Sequence, residues 1–178
     1  MEKERIVVIE GSKSDDEKTN EFLRILEECN VRYRTLTASA HVHAGQAFVN
    51  FVENIPERII VFIGGMSLVA PGIISGIRRN MDKFDSMVFG VPTDLDARSA
   101  VEVLPIGTFV LTAGLNTINL THSIKNNALA VAHFVFMVTG DTDISEGLAA
   151  WYAKMKKEKP MEEIVLDKNG LIPKKEKK

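Results

Sequence analysis

The stretch Arg5-Ile6-Val7-Val8-Ile9-Glu10-Gly11-Ser12-Lys13-Ser14-Asp15-Asp16 decides the fold of this chain. Ile6 to Ile9 is a continuous apolar run rich in β-branched residues, the pattern of a strand covered on both faces of a parallel sheet. Gly11 interrupts the run, and Ser14 with Asp15 supplies helix N-cap chemistry directly afterwards. A strand, a glycine turn and a capped helix leave free backbone N–H groups at the carboxyl edge of the sheet. Open α/β sheets bind anionic ligands at that edge.

Outward from this unit the same alternation repeats. Phe22, Leu23, Leu26 and Cys29 recur at helical spacing, with Glu17, Lys18, Glu27 and Glu28 opposite, which predicts a helix from Asp15 to Cys29. Val31 to Leu36 alternates as an edge or near-edge strand. Ala47, Phe48, Phe51, Val52 and Ile55 then mark a short amphipathic helix that stops before Pro56. Arg58 to Ile63 is a third strand ending at Gly64-Gly65, and a helix runs from Pro71 to about Asn80. Ser86 to Gly90 is a fourth strand. Such repetition predicts right-handed crossovers, hence a three-layer α/β/α domain around a parallel sheet.

The remaining half of the chain carries fewer signals. Asp96 to Leu104 reads as a helix, and Thr108 to Thr112 and Thr117 to Thr121 as short strands. Ile124 to Thr139 is a helix that is apolar nearly all round, which points to burial at a subunit interface. Gly140 to Asp143 caps another helix, Ile144 to about Lys159, with Leu148, Trp151, Tyr152 and Met155 on one face. One further turn is expected after Pro160 through Ile164, and Lys174 to Lys178 is a solvated tail. The chain thus divides into an α/β domain over 1–160 and a C-terminal tail over 161–178.

Composition narrows the function classes. The 178 residues suit one core, and 45% hydrophobic with 26% charged residues is ordinary for a globular protein. A net charge of −2 argues against a general nucleic-acid or membrane-surface binder. The single cysteine, Cys29, excludes an internal disulfide and falls on the core stripe of its helix. Met1-Glu2-Lys3-Glu4-Arg5 lacks the apolar core of a signal peptide, and the run Ala128 to Val138 is too short to span a bilayer. A cytoplasmic location is the expectation.

Two strand ends hold the chemistry. Ser12, Lys13, Ser14 and Asp15 follow the first strand, and Ser39, His41 and His43 follow the second. In a doubly wound sheet both loops reach one edge, so hydroxyls, a carboxylate and imidazoles converge there. Histidine is the side chain best suited to move a proton near neutral pH. The chain has no Gly-x-x-x-x-Gly-Lys-Ser/Thr loop, no Gly-x-Gly-x-x-Gly turn and no Gly-x-Ser-x-Gly elbow. His41 and His43 are spaced so that an extended loop turns them apart, and His122 and His133 have no evident metal partners. No metal, nicotinamide or ATP is expected.

Gly11-Ser12-Lys13-Ser14-Asp15 followed by Ser39-Ala40-His41 resembles the aminoimidazole ribonucleotide carboxylase and mutase family, often called PurE. The family shows Gly-Ser-x-Ser-Asp after strand one and Ser-Ala-His with a basic residue after strand two. Gly64-Gly65 with Pro71-Gly72, Gly90-Val91-Pro92 and Asn127-Ala128-Leu129-Ala130 extend the likeness over Ile6 to Lys159. The resemblance implies a flavodoxin-like sheet, assembly into a homo-octamer with sites at subunit contacts, and purine-biosynthetic chemistry without ATP, metal or biotin. The substrates it implies are a ribonucleotide and carbon dioxide. It makes His41 the general acid/base, and Gly11, Ser12, Asp15, Ser39, Gly65 and Ser67 the substrate-binding set.

The chain departs from the family in three places. Val42 stands where the family has its basic phosphate ligand, so Lys13 or His43 is the candidate replacement. The loop Gly64 to Gly72 has the length of the direct-carboxylase branch, but only Ser67 keeps a polar counterpart, with Met66 and Leu68 beside it. After Val91-Pro92 the chain reads Thr93-Asp94-Leu95-Asp96, whose carboxylates are expected to cap the next helix. The expected function is formation of 4-carboxy-5-aminoimidazole ribonucleotide. The alternatives are a non-catalytic nucleotide- or sugar-phosphate-binding relative and a related carboxylase on another phosphorylated heterocycle.

Overall fold

The strand at the centre of the argument, β1 (Ile6–Glu10), is central in space as well. In the computed structural model the structure describes residues 6–40, 42–43, 45–65, 69–83, 85–93, 117–119, 123–158, 164–167 and 170–173. Ile6, Val7, Val8 and Ile9 are all buried, because the alternating side chains of β1 enter two different cores. The other strands are β2 (Tyr33–Thr37), β3 (Ile59–Gly64), β4 (Met87–Pro92) and β5 (Thr117–Asn119). Their order is β2-β1-β3-β4-β5, and every pairing is parallel. The edge position expected of the second strand is therefore correct.

Register places equivalent residues side by side: Val8 lies opposite Thr35 on β2 and Val61 on β3, and Phe62 opposite Gly90 on β4. Among the described residues the α-helices are α1 (Asp16–Glu28), α2 (Gln46–Glu53), α3 (Ala70–Asn80), α4 (Ile124–Thr139) and α5 (Thr142–Glu158). One core joins Ile6 and Val8 to Phe22 and Leu26 of α1, Val131 and Val135 of α4, and Leu148 and Trp151 of α5. The other joins Val7 and Ile9 to Phe48 and Val52 of α2 and Ile74 of α3. This is a flavodoxin-like three-layer α/β/α fold. Burying one such large apolar side chain is worth about 1.5–3 kcal/mol, so the two faces together hold the sheet.

Three details differ from the sequence reading. A 3-10 turn, Lys13–Asp15, precedes α1, and Asp15 lies within it and makes no side-chain cap bond. Tyr152 leaves the apolar face of α5, half exposed, and its hydroxyl meets His133 Nε2 at 3.1 Å. Ile164, expected to close a helical turn, instead opens an antiparallel hairpin of β6 (Ile164–Asp167) and β7 (Gly170–Pro173). Within the single chain the helix Ile124 to Thr139 buries one face and leaves Met137 and Val138 exposed. Thr117–Asn119 joins the sheet as an expected short strand. The helix expected over Asp96 to Leu104, the strand over Thr108 to Thr112 and the tail over Lys174 to Lys178 lie outside the described residues. None of the described helices is long and apolar enough to cross a membrane.

Candidate active site

The carboxyl ends of the strands are tied together by backbone bonds that continue the sheet ladders. Gly11 N–H donates to Ile63 O at 2.8 Å, Ala38 N–H to Glu10 O at 3.0 Å, and Thr93 N–H to Gly64 O at 3.1 Å. The loops after β1, β2, β3 and β4 therefore leave from one rigid edge. Between the first three lies a cleft of about 70 Å³. Gly11, Ser12 and Asp15 form one wall, and Ser39 and Ala40 another. Phe62, Gly64, Gly65, Val69 and Ala70 complete it from the third loop.

Phe62 dictates why two of these positions are glycine. A β-carbon at Gly64 would stand 3.0 Å from the Phe62 ring, and one at Gly11 would stand 3.3 Å from the same ring and from Ile63 O. The ring packs between the two strand ends and lines the cleft, so a side chain at either place would press on it and the ring would have to yield. Val69 and Ala70, which open α3, line the cleft, so the amino end of that helix lies against it.

The electrostatic centre is Asp15, only 6% exposed. Ser12 Oγ donates to its Oδ2 at 3.0 Å, and Thr93 Oγ1 donates to its Oδ1 at 2.5 Å. Ser12 Oγ and Ser14 Oγ lie 2.5 Å apart. Because the Ser12 hydrogen goes to Asp15, Ser14 supplies the hydrogen between the two hydroxyls. A carboxylate has about four lone-pair sites, so Asp15 keeps acceptor capacity towards the cleft.

Ser39 presents the complementary group. Its Oγ accepts from Val42 N–H at 3.3 Å, which leaves its own hydrogen to donate. The turn is closed by His43 N–H on Ser39 O at 2.9 Å. His43 Nδ1 lies 3.1 Å from Ser39 N and 3.2 Å from Ser39 O, so neutral imidazole can accept from the one and imidazolium can donate to the other. The site therefore offers an acceptor wall at Asp15 and a donor hydroxyl at Ser39.

Of the residues singled out from sequence, Gly11, Ser12, Asp15, Ser39 and Gly65 meet in this cleft. Lys13 and His43 are exposed and do not line it. Val42 is 79% exposed. His41 and Ser67 lie outside the described residues, as do Met66, Leu68, Asp94 and Asp96. Sequence reasoning gave no role to Phe62 or Thr93. The signal for Thr93 was its place directly after β4, on the same edge as the two chemistry-bearing loops. Among the described residues no group of three or more His, Cys, Asp or Glu side chains is placed to hold a metal ion.

A family model described as AIR carboxylase matches residues 5–158. The chain belongs to the AIR carboxylase family. An N5-carboxyaminoimidazole ribonucleotide mutase of Methanocaldococcus jannaschii is 26% identical over 157 residues, covering 85% of this chain and 90% of that protein. A probable N5-carboxyaminoimidazole ribonucleotide mutase of Methanothermobacter thermautotrophicus is 31% identical over 121 residues, 64% of this chain and 34% of the longer relative. Treponema denticola PurE has the same fold, with a TM-score of 0.66 at 17% identity over 88% of this chain and 94% of that one. The AIR carboxylase match spans all the strand ends that build the cleft.

Proposed function

We propose that this protein forms 4-carboxy-5-aminoimidazole ribonucleotide in purine biosynthesis, by carboxyaminoimidazole ribonucleotide mutation or by direct carboxylation with carbon dioxide. The observation that carries the reading is the buried Asp15 carboxylate with Ser12 and Ser39 around one cleft, in a chain of the AIR carboxylase family. Asp15 accepts hydroxyl hydrogens of the ribose. Ser39 donates to the ligand, and the positive end of the α3 dipole favours an anion beside Gly65. Ser67 belongs to the same loop and contacts the ligand. Lys13 and His43, exposed near the first two strand ends, are the groups assigned to balance phosphate charge.

His41 carries the proton. In the mutase direction the exocyclic N–C bond breaks, the nitrogen receives a proton, and carbon dioxide is released into the cleft. The ring carbon then attacks carbon dioxide, and His41 removes the proton from that carbon. The proton account closes, so no net acid or base is consumed. Direct carboxylation uses only the second half. Apolar walls at Phe62, Val69 and Ala70 support retention of carbon dioxide in the cleft. Exposed Met137 and Val138 on α4 support assembly as a homo-oligomer, which we assign as an octamer of the cytoplasm.

The test is turnover of 5-aminoimidazole ribonucleotide with bicarbonate, set beside the carboxyamino isomer. Conversion of either one establishes the activity and selects the branch. His41→Asn is expected to abolish turnover while ligand still raises the melting temperature. Absence of turnover with both ribonucleotides overturns the reading.

A further inference from the structure

Asp15 closes the 3-10 turn Lys13–Asp15 with helical backbone angles, and the extended residue that opens the turn is Ser12. The Asp15 carboxylate is held by a hydroxyl on each oxygen, Ser12 on Oδ2 and Thr93 on Oδ1. The two holders are unlike. Ser12 is three residues away in the same loop and moves with Asp15. Thr93 is 78 residues away at the end of another strand, where its own N–H is fixed on Gly64 O at 3.1 Å.

We propose that Thr93 is a positioning residue of the ribonucleotide site, whose hydroxyl fixes Oδ1 of the Asp15 carboxylate and orients its remaining lone pairs into the cleft. This rests on the function proposed above. The hydrogens of Ser14, Ser12 and Thr93 all run towards Asp15. That wall therefore offers acceptors, which suit hydroxyl or amino groups of a ligand and repel its anionic end. Without the Thr93 hydroxyl, Oδ1 loses its fixed donor and the carboxylate is held through Ser12 alone, so the cleft loses its oriented acceptor.

The experiment compares Thr93→Val, which keeps the shape, with Thr93→Ser, which keeps the hydroxyl. KM and kcat are measured with whichever ribonucleotide the wild type converts, alongside the melting temperature. Thr93→Val is expected to raise KM about tenfold, as for a lost hydrogen bond to a charged group. Its melting temperature should fall by no more than a few degrees, because Ser12 still donates to the other Asp15 oxygen. Thr93→Ser should stay within about twofold of wild type in KM. Wild-type KM and kcat in the valine variant overturn the proposal, as does a serine variant as impaired as the valine one. Thr93→Ala carries the same comparison if the valine variant does not fold. A wild type that neither converts nor binds either ribonucleotide overturns the function itself, and this proposal with it.

Discussion

A β-carbon on Gly147 would stand 2.6 Å from the carbonyl carbon of Cys29 and 2.8 Å from its Cα and O. Helix α5 thus crosses the end of α1 backbone against backbone, with no flexible side chain to give way. Alanine normally gains about 1 kcal/mol over glycine inside a helix. Overlap in a packed interior costs about 1–3 kcal/mol, more where main chain must move. Gly147→Ala is therefore expected to lose about 2 kcal/mol in urea denaturation. Gly76 in α3 is the control, because an added carbon there meets nothing within 4 Å. Gly76→Ala should gain about 0.5–1 kcal/mol, and changes of the same sign at both sites would contradict this account.

Arg78 is 1% exposed at the amino edge of the sheet, opposite the cleft. Its Nε donates to Ser86 Oγ at 2.9 Å, Nη1 to Ile55 O at 2.6 Å and Nη2 to Glu57 O at 2.9 Å. Burial lowers its pKa, opposed by the charges of Asp85 and Glu57. Glu57 is in turn gripped by Arg34, with Nε on Oε1 at 2.5 Å and Nη2 on Oε2 at 2.8 Å. Arg78→Met removes a donor from three oxygens and should cost about 3–5 kcal/mol in equilibrium unfolding. KM of the folded variant should match wild type, and a large KM change would place Arg78 in communication with the site.

Glu10 ends β1 beside Asp15 and Asp16. Burial, then the hydrogen bond it shares with Asp16, raises its carboxyl above the ordinary value of 4.5. The native state therefore holds this proton more tightly than the unfolded chain. Stability from this group is fullest below pH 4.5 and is lost as pH rises through the raised folded value. Glu10→Gln keeps the shape and removes the charge, so it should melt higher than wild type at neutral pH. The advantage should shrink as pH falls towards 4.5, and an advantage that grows in acid would refute the sign.

Cys29 is fully buried, and burial followed by the Glu28 charge pushes its thiol up to about 11. The thiolate is the nucleophile, and near neutral pH its fraction here is on the order of one in ten thousand. Ellman's reagent should leave the native protein unlabelled and react once it is unfolded in urea. Labelling of the native protein within minutes would show that the contact of α1 with α5 opens locally.

The sequence by itself determined the elements whose signal is local. Ile6 to Ile9 and Ile59 to Ile63 are apolar without a break because both faces of a parallel strand are covered. Phe22 and Leu26, one helical turn apart, mark the face that α1 buries. Gly11, Ser12, Asp15, Ser39 and Gly65 were legible as a group because each follows a strand, and parallel strands deliver their loops to one edge. Tertiary structure decided the partners. Asp15 has the chemistry of a helix cap, yet it lies inside the first turn, and the strand order brings the Thr93 hydroxyl to its carboxylate from 78 residues away. Gly11 and Gly64 read as turn residues, while the tight space at both comes from the Phe62 ring packed between them. Periodicity reports how a segment meets solvent and core. Which donor wins a carboxylate depends on strand ends far apart in the chain and adjacent only once the sheet has formed.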